Sequence, residues 1–141
     1  MLLESQVLEL AATERRLAGI LLVALVTVEF GGTFLLRVSR GAQPATEIQK
    51  AFFRAGHAHA GVLVVLALVC QLYVGATDLT GIAGVVARGG VAWAAILMPA
   101  GFFLSVAGRD VRRPNAFIGL VWLGAASLGA GVLALGVGLL L

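Results

Sequence analysis

Four long apolar runs, separated by short stretches that carry nearly all the charge, constrain this chain more than any other feature. A helix needs about 20 apolar residues to cross a hydrocarbon layer about 30 Å thick. The runs at about 17–36, 55–75, 91–107 and 116–141 have that length or come close to it. In hydrocarbon each segment must satisfy its own backbone N–H and C=O groups, and only helix does so within one run. The expected fold class is therefore all-α: a polytopic membrane protein whose four transmembrane helices form an antiparallel bundle. Composition points the same way. The chain is 60% hydrophobic and 12% charged, whereas soluble domains are about 25% charged. So apolar a chain cannot cover its surface in water, and the lipid bilayer is its expected solvent.

The 141 residues leave room for one integral membrane domain, 1–141. Residues 1–16 mix Leu3, Val7 and Leu10 with Glu4, Glu9, Glu14, Arg15 and Arg16. The apolar positions fall at helical spacing, which predicts an amphipathic interfacial helix continuous with the first span. Its acidic start is unlike a secretory signal. Arg37 and Arg40 stop the first span. Pro44 then breaks the chain, and Thr46-x-x-Gln49 is a capping-box start for a helix that needs no interruption before Gly75. Residues 76–90 read as a weak loop. Within it, Leu79 to Ala87 is apolar but too short to cross. It is a re-entrant piece, a surface piece or an early start to the third helix. Pro99 predicts a kink in the third span.

Basic residues set the expected orientation. Arg37, Arg40, Lys50, Arg54, Arg109, Arg112 and Arg113 flank the first and third connections, while Arg15, Arg16 and Arg88 lie on the opposite side. The excess places both basic connections in the cytoplasm and both termini outside. The Arg109 to Arg113 turn reads as part of this signal rather than as a lipid-headgroup site. Cys70 is the only cysteine, so no intrachain disulfide forms. No P-loop, dinucleotide fingerprint or nucleic-acid motif occurs, and no nucleic-acid partner is expected.

The 19 glycines ask for a packing explanation, because glycine costs a helix about 1 kcal/mol relative to alanine. Small residues let membrane helices approach closely. Gly31, Gly32, Gly56, Gly61, Gly131 and Gly138 are the candidate packing positions. Ala130, Ala134 and Gly138 follow at four-residue spacing on the last helix, as do Ser127 and Gly131. Such faces suit the bundle interior, a homo-oligomer or partner membrane subunits.

Chemistry is confined to three residues. Glu29 lies well inside the first span, where a carboxylate costs roughly 2.5–3.5 kcal/mol on insertion scales. At helical rise it sits about 12 Å from Arg37, and His59 sits about 8 Å from Arg54 in the same leaflet. Antiparallel neighbours would bring Glu29, His57 and His59 to similar depth. Gly31, Gly32, Gly56 and Gly61 would allow close approach there. The site is read either as a Glu–His proton or metal site or as a hydrogen bond pinning two helices. His57 and His59 are two apart and point about 200° from each other on a helix, so they serve different faces. No zinc-hydrolase pattern or nucleophile elbow occurs, and no catalytic residue is assigned.

Two resemblances rest on the segment Phe52-Phe53-Arg54-Ala55-Gly56-His57-Ala58-His59-Ala60-Gly61. His57-x-His59 in an apolar helix resembles the helix of haem-copper oxidase catalytic subunits whose histidines, two apart, ligate haems on opposite faces. This implies haem as cofactor, with His57 and His59 as candidate axial ligands; the Glu–His site reading separately admits a transition metal, with His57, His59 and Glu29 as candidate ligands. The chain as a whole resembles small four-span bacterial membrane proteins of unassigned function that open their second helix with FFRAGHAHAG. That resemblance implies no activity. The leading functional expectation is a small transport or proton-handling protein with a Glu29–His57–His59 polar site. A haem- or metal-binding redox protein and an accessory subunit of a larger membrane complex are the alternatives.

Overall fold

A computed structural model describes residues 10–141; the first nine residues of the expected interfacial helix lie outside the described part. Four helices follow in order: α1 (Ala12–Ser39), α2 (Glu47–Val74), α3 (Gly81–Ser105) and, after a 3-10 turn at Ala116–Ile118, α4 (Gly119–Leu140). All four runs are long and apolar enough to cross a membrane. They pack against one another into an all-helical membrane bundle.

The helix starts follow from local chemistry. Thr46 caps α2: its hydroxyl accepts from the Gln49 N–H, and the Gln49 side chain accepts from the Thr46 N–H at 3.0 Å. The Gln49 amide then donates to the carbonyls of Val106 (3.0 Å) and Gly108 (2.9 Å), just past the end of α3. The Thr46 hydroxyl donates to the Val111 carbonyl at 2.6 Å. One capping box therefore both starts α2 and ties it to the α3–α4 connection. Asn115 caps the next turn by accepting from the Phe117 N–H, while its own N–H donates to Ser105. The basic end of the bundle is thus laced together by backbone carbonyls, that of Val106 buried, which find side-chain donors.

The third helix begins earlier than the apolar run at 91–107 suggests. Of the readings open for Leu79 to Ala87, the early helix start is the one found, at Gly81. Glycine content disguised it. Gly81 adopts φ +58° at the first position, and Gly84 lies against the Leu79 carbonyl, where a Cβ would come within 2.7 Å of the oxygen. Gly90 packs directly on Gly131 of α4, and a Cβ on Gly90 would meet the Gly131 Cα at 2.7 Å. The helical cost of Gly90 is offset by an approach no larger residue permits. Ser127 reinforces it by donating to the Gly90 carbonyl at 2.8 Å. Farther along the same pair, Gly101 lies against Val121 and Gly124 against Met98. Pro99 is buried within α3 and does not end it.

The buried core lies among α2, α3 and α4: Val64, Ala67, Cys70, Val74, Ala87, Val91 and Leu135, joined by Leu21 of α1. Helix α1 is otherwise peripheral. Only 6% of its most apolar stretch is buried, against 33% in α2 and in α3. It runs antiparallel to α2, with Val28 beside Gly61 and Gly31–Gly32 beside His57. An apolar groove of about 480 Å³ separates it from α3. Near the start of α1 a polar clasp crosses to α3. Arg88 Nε donates to Glu14 Oε1 at 2.6 Å, and the Glu14 side chain is only 4% exposed. Gln71 of α2 joins this end by donating to the Arg88 carbonyl at 2.9 Å.

Candidate functional site

The three chemistry-bearing residues sit on or beside the α1–α2 seam, each in a different setting. His57 is half-buried with its ring laid on the glycine pair of α1. A Cβ on Gly31 would lie 3.7 Å from His57 Nδ1, and one on Gly32 would lie 3.6 Å from Nε2. The imidazole therefore lies alongside both glycines at a distance that a Cβ would turn into ordinary contact. It makes no hydrogen bond among the described residues, so its ring nitrogens are held by shape alone.

His59 faces the other way. Its Nδ1 lies 2.8 Å from the Ala55 carbonyl, and because a carbonyl only accepts, Nδ1 is the donor. The ring packs on Phe102 of α3, with centroids 5.0 Å apart. The two histidines thus address two helices, as their spacing requires, and one ion cannot take both rings. Among the described residues no group of three His, Cys, Asp or Glu side chains gathers.

An aromatic cluster holds this region in place. Phe34 of α1 meets Phe53 of α2 edge-on at 5.3 Å, Phe53 stacks on Phe103 of α3 at 5.7 Å, and Phe52 meets Phe102 at 5.7 Å. Gly56 lies beneath Phe102 and Phe103, where a Cβ would come within 2.9 Å of the Phe103 ring. Gly61 is more open, with only Val28 near at 3.9 Å. On the far side of the bundle Gly131 meets Gly90, and Gly138 meets the Leu79 side chain.

Glu29 is exposed on α1 and makes no hydrogen bond or ion pair among the described residues. It is two and three positions before the glycine pair, yet its side chain leaves from the flank of α1 rather than from the face on α2. Leu22, Val26, Thr33 and Leu36 share that flank at alternating four- and three-residue steps, and all are exposed. Thr33 has already given its hydroxyl proton to the Phe30 carbonyl at 2.7 Å, which leaves its oxygen as an acceptor. The flank is thus an apolar stripe with one carboxyl group near its middle.

The residues that sequence reasoning passed over are the polar clasps. Glu14 and Arg88 are 74 positions apart, and nothing local to either announces the pair. Gln71 is 1% exposed, and among the described residues the oxygen of its amide has no partner. A glutamine inside an apolar run was the available signal.

Fold and site together define a four-helix integral membrane protein with a polar α1–α2 seam and an uncovered acidic flank. Compared with family models, curated proteins and solved structures, the chain matches none of them.

Proposed function

We propose that this protein is a membrane-embedded subunit that works in an assembly, meeting another transmembrane helix along the Glu29 flank of α1. One observation carries the reading: the single intramembrane carboxyl of the exposed stripe points away from its own bundle. A carboxyl group facing hydrocarbon is costly, and polar groups in membranes usually find a donor on a neighbouring helix. A polar residue at one core position of a helix seam also fixes register and partner number. The neighbour is a second copy or another subunit. In a second copy the matching group at the same depth is Glu29 itself, and two carboxyl groups satisfy each other by sharing a proton. On this reading the basic connections lie on the cytoplasmic side of a bacterial inner membrane and both termini lie outside.

A second reading is favoured by His57. Its half-buried ring without a hydrogen bond, on the glycine pair next to Glu29, suits proton handling or transport at the assembled contact. A haem or metal centre would draw on His57 and His59 separately, one per helix face, and would need ligands from another chain.

The test is the mass of particles excised from native membranes in polymer discs. Wild-type particles are expected to exceed the 14.5 kDa of one chain, and Glu29→Leu is expected to reduce them to single chains. Glu29→Gln, which keeps a hydrogen-bonding group, is expected to retain part of the assembly. Single chains in the wild type would remove the reading. A parallel proton-flux assay on vesicles separates the second reading, which requires flux that Glu29→Gln or His57→Ala abolishes.

A further inference from the structure

A different part of the α1–α2 seam holds a cavity with a polar, basic lining. Where α1 ends and α2 begins, a cavity of about 300 Å³ is lined by Leu35, Val38, Ser39, Glu47, Lys50 and Arg54. Its wall is layered. Leu35 and the buried Val38 form an apolar side, while Ser39, Lys50 and Arg54 supply a hydroxyl and two cations. Lys50 Nζ is 2.8 Å from Glu47 Oε1, but the Glu47 side chain is 89% exposed. Such an exposed pair three residues apart is weak and screened by salt, so it yields readily to a better anion. Arg54 makes no ion pair among the described residues. Even counting Glu47, the cavity carries net positive charge, and Arg37 and Arg40 stand on the same connection.

We infer that this cavity binds the phosphate of an anionic phospholipid. Charge complementarity selects a phosphate: two cations and a hydroxyl donor meet its oxygens. The apolar wall selects the lipid over a free ion. Leu35 and Val38 would take the first carbons of an acyl chain, whereas a soluble phosphate has no use for them. Basic pockets between transmembrane helices on the cytoplasmic side are a recognised setting for such headgroups. The inference is independent of any role for Glu29.

The test is native mass spectrometry of the full-length protein in mild detergent, titrated with phosphatidylglycerol or with phosphatidylcholine. Wild type is expected to retain phosphatidylglycerol in preference to phosphatidylcholine. Each removed cation is expected to weaken retention about fivefold, from about 1 kcal/mol per basic residue at 1.4 kcal/mol per tenfold. Lys50→Gln with Arg54→Gln is therefore expected to lose about 25-fold by the same conversion. Arg112→Gln with Arg113→Gln removes the same charge from the other basic connection and is expected to change retention little. Circular dichroism checks that both variants keep their helices. Equal loss in the two double variants would overturn the site in favour of diffuse charge. Equal retention of the two lipids, or displacement of phosphatidylglycerol by millimolar inorganic phosphate, would overturn the lipid assignment.

Discussion

Helices α1 and α3 are both long apolar spans, yet they are held in opposite ways. Helix α3 is locked on both sides. Its glycines admit α4 to backbone contact, and its side chains share the core with α2. Helix α1 rests on α2 along one face, is clasped to α3 by Glu14–Arg88, and leaves the rest of its surface uncovered. In water a surface so apolar would be a fault. In a bilayer lipid covers it without penalty, so apolar exposure alone carries no message. What distinguishes α1 is the carboxyl group on that surface. The comparison teaches that in a membrane bundle the informative exposure is polar, just as in water it is apolar.

The comparison breaks most sharply at the glycines. Gly90→Ala sets a Cβ against backbone atoms of Gly131 and Ser127 at 2.7 and 2.8 Å, and backbone cannot yield without parting the helices. Destabilisation at or above the 1–3 kcal/mol range of overpacking is expected, read as loss of helical signal at lower SDS fraction in detergent titration. Gln49→Leu removes the donor shared by the Val106 and Gly108 carbonyls and leaves both short of a partner. A cost of about 1–3 kcal/mol is expected in the same titration, together with faster proteolysis of the 106–115 connection.

Smaller effects sharpen the contrast on the α1 side. Glu14→Gln keeps the shape but removes the charge opposing Arg88. The Arg88 side chain is 30% exposed, so solvent screens part of the loss. About 1 kcal/mol is expected, toward the exposed limit for ion pairs. Hydrogen exchange should then quicken in the first turns of α1 and not in α3. Gly31→Ala is expected to be neutral or to stabilise by up to about 1 kcal/mol, because alanine is the better helix residue. Its Cβ would meet His57 at 3.7 Å, an ordinary contact. A Gly31→Ala loss as large as that of Gly90→Ala would show that α1 is packed as tightly as α3, contrary to this account.

Much of the fold was legible because its determinants are local. The four spans follow from run length and sparse charge, and the α2 start follows from Thr46 and Gln49 three positions apart. The start of α3 was not legible. Gly81, Gly84, Gly89 and Gly90 read as loop: Gly81 takes a positive φ, Gly84 lies under the Leu79 carbonyl, and Gly90 becomes favourable when Gly131 and Ser127 of α4 supply its surface. Gln49 was legible as a cap but not as a donor to a connection nearly sixty residues on. At the site, depth arithmetic along two antiparallel helices placed the histidines and Glu29 in one leaflet. Rotation about the helix axes was out of reach. An almost wholly apolar helix has no polar face to orient it, so nothing in the sequence says that His57 lies on the glycine pair while Glu29 points outward.

The direct test of the Glu29 flank is disulfide trapping on α1 in native membranes, with Cys70 replaced by alanine. Val26→Cys lies on the Glu29 flank and Ile20→Cys on the opposite side of the helix from Glu29, and the two positions are equally exposed, at 64%. Oxidation is expected to give a cross-linked product through Cys at position 26 and little through position 20, with adding Glu29→Leu suppressing it. A product of two chain masses names a second copy as the neighbour. For a different subunit, a thiol-reactive crosslinker at position 26 gives a product of other mass. Equal trapping at positions 20 and 26, or trapping at 26 that survives Glu29→Leu undiminished, would contradict the claim that this carboxyl marks the contact.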